Sequence, residues 1–210
     1  MADETQDSQI MTHFRPSLLS LVRDTVTDPR GSAGRVLSLA PPRAVLWEAL
    51  GLVVILSVLL TELGELISPA PVDPMMPAFM HYPLAAAAVQ GLLLIVTVHA
   101  IAVIGRVFGG TGDLDGALAL TVWLQFVMVC LQVVQLVLLV VLPPAAGLLG
   151  IFGIGLFFWL LSHFVAVLHG FPSVMKTFGM ILFSMIGIVF GMSLILSILG
   201  ITLTGAMPDV

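Results

Sequence analysis

Charge is scarce in this chain: only 9% of its 210 residues are Asp, Glu, Lys or Arg, while 59% are hydrophobic. A soluble domain carries about 25% charged residues, so the excess apolar surface must meet lipid instead of water. Lys and Arg together number seven against a formal net charge of -5, which leaves no basic patch to neutralise phosphates and excludes nucleic acid as a partner. The single cysteine, Cys130, lies inside an apolar run, which excludes an intramolecular disulfide and a cysteine-based metal cage. Catalytic signatures are missing too. There is no Ser/His/Asp order, no HExxH, no pair of mid-membrane aspartates and no cofactor fingerprint, so neither an enzyme nor a cofactor is expected.

Long apolar runs are what the chain has instead. Residues 44–67, 84–107, 117–142, 146–168 and 174–201 each reach the roughly 20 residues that a helix needs to cross the hydrocarbon. None alternates with a period of two, which argues against a barrel. The expected fold is therefore an all-α integral membrane protein with five transmembrane helices spanning a membrane domain of 44–203. An acidic, disordered tail (1–13), which makes a poor signal peptide, and an outer tail (204–210) flank the fold.

Between the acidic tail and the first run, residues 14–43 read as short amphipathic helices on the membrane surface. Leu18, Leu19, Val22 and Val26 share one side of the first, with Arg23 and Asp24 facing away. Asp28-Pro29-Arg30 then caps and restarts the chain. In the second, Ala33, Val36, Leu37 and Ala40 are apolar, Arg30 and Arg35 are available to lipid phosphates, and Pro41-Pro42 ends it.

All seven basic residues fall on one side of this topology. Arg15, Arg23, Arg30, Arg35 and Arg43 precede the first span, Arg106 follows the second and Lys176 follows the fourth. The positive-inside rule then predicts a cytoplasmic N-terminus and an outside C-terminus in a plasma membrane. Pro143-Pro144 leaves almost no loop, so spans three and four should be antiparallel neighbours. Gly187 and Gly191 permit close helix approach and are compatible with a homo-oligomer.

Polar residues are few enough to weigh singly. Gly109-Gly-Thr-Gly112 is not a phosphate loop, since no Lys follows and no strand precedes it. A glycine hinge is expected there, with Asp113 capping span three and Asp115 complementing its dipole. Within the spans, His99, His163, Gln125, Gln132 and Gln135 are the polar side chains of interest. If spans two and four pack together, His99 and His163 could form a polar pair with Gln90 or Gln125; helix-to-helix hydrogen bonding is the expected role of these polar groups, and a solute or proton path the alternative. Met75, Met76, Met80 and His81 gather soft ligands of the type that suits Cu(I), although Met and aromatic residues also serve as interfacial anchors.

Several of these segments together resemble the bacterial members of the Yip1 family. They are Asp28-Pro29-Arg30, Ala44-Val-Leu-Trp-Glu-Ala-Leu, Phe108-Gly-Gly-Thr-Gly-Asp-Leu-Asp-Gly-Ala-Leu, Trp159 and His169-Gly-Phe-Pro-Ser-Val-Met-Lys-Thr. The resemblance covers roughly residues 20–200 and implies a five-helix bundle with a cytosolic leader. Eukaryotic relatives work in vesicle traffic and associate with Rab-type GTPases and with one another. This chain lacks their Asp-Leu-Tyr-Gly-Pro-like leader and Tyr-Gly-Tyr-type span motif, so GTPase binding is not implied. The expected function is an interaction or membrane-organising factor, embedded in the lipid bilayer, that meets a membrane or cytoplasmic protein partner through Arg106, Asp113, Asp115, His169 and Lys176. A small transporter or channel built on the polar residues of spans two to four is the alternative.

Overall fold

A computed structural model of the chain describes residues 18–69 and 82–198, which form seven α-helices. Two are short, α1 (Leu18–Thr27) and α2 (Pro29–Leu39). Five are long: α3 (Arg43–Ile67), α4 (Pro83–Val107), α5 (Leu114–Val141), α6 (Pro143–His169) and α7 (Val174–Ile198). Each of the five is long and apolar enough to cross a membrane. At 1.5 Å per residue even the 25-residue helices reach about 37 Å, against about 30 Å of hydrocarbon.

Local chemistry sets the helix ends. Asp28 accepts a hydrogen bond from Gly31 N–H at 3.0 Å and Pro29 occupies the first turn, which separates α2 from α1. Asp113 does the same for α5 by accepting from Gly116 N–H at 2.8 Å. That helix therefore begins at Leu114, three residues before the apolar run predicted at 117. Leu142 alone joins α5 to α6, with Pro143 and Pro144 starting the new helix, so the two lie antiparallel and pair more extensively than any other helices described.

Packing is uneven, and α6 is central. It packs against α1, α2, α4, α5 and α7, and every residue from Leu160 to Ala166 is buried. A helix apolar all round belongs in such a place. The core gathers around Phe164, Leu160, Leu118, Val98 and Val127, all under 2% exposed. Outward faces stay apolar as well. Leu52, Leu59, Val137, Ile151, Phe183 and Phe190 are exposed, and five helices surfaced in this way are solvated by lipid.

The first two helices do not lie free on a membrane surface. α2 buries Pro29, Ser32 and Ala33 against α5 and α6, and Thr25 of α1 is fully buried. Thr25 Oγ1 donates to Leu21 O at 2.8 Å, which leaves its lone pairs to accept from Ser32 Oγ at 2.7 Å and Trp123 Nε1 at 3.1 Å. The helical spacing of the apolar side chains is as expected, but the bundle takes up much of the face that was assigned to lipid.

Candidate functional site

The antiparallel topology gathers the start of α3, the α4–α5 turn, the α6–α7 turn and the α1–α2 hairpin at one end of the bundle, here the basic end. Both turns are built by the same device. α4 finishes with Gly109 at φ +87°, Gly109 N–H bonding Arg106 O and Gly110 N–H bonding Gly105 O, each at 2.9 Å. α6 finishes with Gly170 at φ +70°, Gly170 N–H bonding Val167 O at 3.3 Å and Phe171 N–H bonding Ala166 O at 2.8 Å. These are Schellman ends, in which a left-handed glycine lets the chain turn back over the last carbonyls.

His169 links one turn to the other. Its Nδ1 accepts from Gly112 N–H at 3.1 Å, its Nε2 reaches Ile101 O of α4 at 3.0 Å, and its own carbonyl accepts from Thr111 N–H at 3.4 Å. An acceptor at Nδ1 and a carbonyl facing Nε2 define a neutral ring with the proton on Nε2. The ring is 3% exposed, stacked on Phe171 at 5.4 Å, and enclosed by glycines. A Cβ at Gly105 or Gly110 would overlap the imidazole, and one at Gly112 would sit 2.7 Å from its Cε1. Only Gly109 in this segment has positive φ. The other three are required by the close approach of His169, where the sequence had suggested a hinge.

His169 is therefore not partner-facing: burial and three hydrogen bonds hold it inside. The remaining residues expected to face a partner divide in two. Asp113 is exposed but occupied as the α5 cap, and Asp115 pairs with Arg43 through a two-pronged contact of 2.6 and 3.0 Å. Arg106 and Lys176 are exposed and pair with no described acid. Arg106 Nε donates only to the carbonyl of Ala102, 2.9 Å away on its own helix.

The polar residues of the spans are tied up between or along helices. Gln132 Nε2 donates to Ser57 O at 3.1 Å and Thr61 Oγ1 at 2.9 Å, and its Oε1 accepts from Ser57 Oγ at 3.1 Å, fastening α5 to α3. Gln135 Nε2 donates to Ala146 O at 3.2 Å, fastening α5 to α6. Gln125 is half-buried and has no hydrogen bond among the described residues. The His99–His163 pair does not form. Each Nδ1 lies 2.8 Å from the carbonyl four residues back, Ile95 or Trp159, so each ring is tied to its own helix through that nitrogen. His99 is exposed, while His163 is buried beneath Trp159 at a ring distance of 4.1 Å. Met75, Met76, Met80 and His81 lie outside the described residues.

A groove of about 310 Å³ opens between α4, α6 and α7, with Val96, Ile104, Phe157, Leu161, Ile181 and Ile188 among its walls. Its lining is almost wholly apolar, which suits a hydrocarbon chain better than a hydrated ion. Sequence reasoning missed the Thr25, Ser32 and Trp123 cluster. The seven-residue spacing of Thr25 and Ser32 is the only signal the chain offers, because Trp123 lies 98 residues beyond Thr25.

Comparison with known proteins agrees with this architecture. The family model described as Yip1 domain matches residues 23–206, nearly the whole chain and all five long helices. No curated protein and no solved structure matches. The chain is an integral membrane protein that belongs to the Yip1 domain family.

Proposed function

We propose that this protein is a membrane-embedded interaction or membrane-organising factor that presents its basic end to a protein partner in the cytoplasm. The observation that carries the reading is the His169 lock. It joins turns some 60 residues apart into one surface and leaves Arg106 and Lys176 on it, exposed and without an ion pair among the described residues. A surface held in a single arrangement before contact loses little freedom on binding, which favours recognition. The orientation is supported by the positive-inside rule, since every described Arg and Lys lies at this end. The Yip1 family's link to membrane trafficking fits a role of this kind.

The transporter alternative draws support only from the polar side chains within the spans, and Gln132 and Gln135 already serve helix packing. Paired variants separate the two readings. Reversing charge at Arg106 and Lys176 to Glu should abolish recovery of a defined partner from crosslinked native membranes. Replacing Gln132 and His163 by Leu should leave that recovery intact. If proteoliposomes of the wild type move a solute and the Gln132→Leu, His163→Leu protein does not, the interaction reading fails.

A further inference from the structure

The α1–α2 hairpin sits beside the bundle at a depth that its hydrogen bonds record. Trp123 is nine residues into α5, about 13 Å below its first turn, and its indole N–H reaches Thr25 of α1. α5 has 28 residues, about 42 Å against about 30 Å of hydrocarbon, so roughly 6 Å of it stands beyond the apolar slab at each end. The far end of the hairpin lies nearer that surface. A Cβ at Gly116, two residues into α5, would be 3.1 Å from Leu37 Cδ2, and Arg43 pairs with Asp115 just after the hairpin ends. From Thr25 to Arg43 the leader thus runs through the zone where acyl chains meet headgroups.

The face it leaves uncovered is mixed. Val26 and Leu39 are 36% and 76% exposed, and Arg23, Arg30 and Arg35 are exposed with them. Two acids share the hairpin. Asp28 is occupied with the Gly31 amide, leaving Asp24 as the hairpin's one exposed acid whose carboxylate accepts no hydrogen bond from a described residue. Guanidinium groups at this depth, beside apolar side chains, meet phosphodiester oxygens, which they bind in a two-pronged fashion. We propose that the α1–α2 hairpin is a binding surface for anionic phospholipid, with Val26 and Leu39 against the acyl region and Arg23, Arg30 and Arg35 on the headgroups. This surface is separate from the Arg106 and Lys176 face and does not depend on any protein partner.

The test uses the full chain in nanodiscs of mixed phosphatidylcholine and phosphatidylglycerol, extracted gently and weighed by native mass spectrometry. Wild-type protein should retain phosphatidylglycerol well above its share of the disc. An arginine near an anionic surface contributes about fivefold in binding. The triple variant Arg23→Gln, Arg30→Gln, Arg35→Gln should therefore lose most of the preference, and the matching triple Lys variant, which keeps the charge but not the two-pronged contact, should fall between it and the wild type. Fluorescence of Trp123, read in a Trp47→Phe, Trp159→Phe background because the chain holds three tryptophans, confirms that each variant keeps its hairpin docked. Retained lipid that mirrors the disc composition, or a Gln variant with undiminished preference, overturns the proposal. So does competition by inorganic phosphate as strong as that by phosphatidylglycerol, which would mean that the arginines hold free phosphate and not a lipid.

Discussion

Gly105→Ala is the smallest change that tests the lock between the two turns. The added methyl would overlap the imidazole of His169, and helix α4 holds it there, so the ring must move. Moving it breaks the bonds from Gly112 N–H to Nδ1 and from Nε2–H to Ile101 O. Each buried group left without a partner costs about 1–3 kcal/mol, and overpacking adds about 1–3 kcal/mol more. With two such bonds lost, a total of roughly 3–9 kcal/mol is expected, a large part of the roughly 5–15 kcal/mol by which folded proteins are stable. Gly91→Ala on the same helix is the control, because a Cβ there meets no atom within 4 Å; it should be neutral or stabilise by up to about 1 kcal/mol. Reversible unfolding in mixed micelles of denaturing detergent measures both. A double-mutant cycle with His169→Ala isolates the collision. In that background Gly105→Ala should cost little, because the ring it strikes is gone. Equal costs for Gly105→Ala and Gly91→Ala, or strict additivity with His169→Ala, would refute the argument.

Other consequences follow from the same contacts. Gln132→Leu removes the ties to Ser57 and Thr61 and should destabilise the α3–α5 pair by about 0.6–1.7 kcal/mol in the same unfolding assay, without altering partner recovery. Trp123→Phe keeps an aromatic ring but loses the donor to Thr25, so limited trypsin treatment should cleave after Arg23 and Arg30 faster than in the wild type. Arg43→Gln breaks a half-exposed ion pair with Asp115; the melting temperature should stay within experimental error of the wild type, in low salt and in high.

Much of the architecture is legible in the chain because lipid imposes long runs and closed hydrogen bonding. The five apolar stretches, the Asp113 cap and the Pro143-Pro144 corner each act over a few neighbouring residues, and each can be read where it stands. His169 could not be placed that way. Its partners Ile101 and Gly112 are 68 and 57 residues away, and a histidine after an apolar run looks like a surface group until the helices are packed. The glycines of residues 105–112 carry the complementary ambiguity. A glycine needed for positive φ and one needed to admit a ring are the same letter, and only Gly109 proved to be the first kind. The α1–α2 hairpin shows the limit of periodicity, which marks an apolar face without saying whether protein or lipid covers it. Similarly, the spacing of Gln132 and Gln135 puts polar groups on α5, while their acceptors on α3 and α6 appear only in the fold.

Site-specific photocrosslinking in native membranes addresses the central claim most directly. A photoreactive amino acid is placed in turn at Arg106 and Lys176 on the basic end and at Leu66, which is 80% exposed at the opposite end. One discrete protein adduct of the same mass should form from both Arg106 and Lys176, disappear when Gly105→Ala disrupts the lock beneath them, and be missing from Leu66. An adduct that forms from Leu66 and from neither basic-end position would contradict the account.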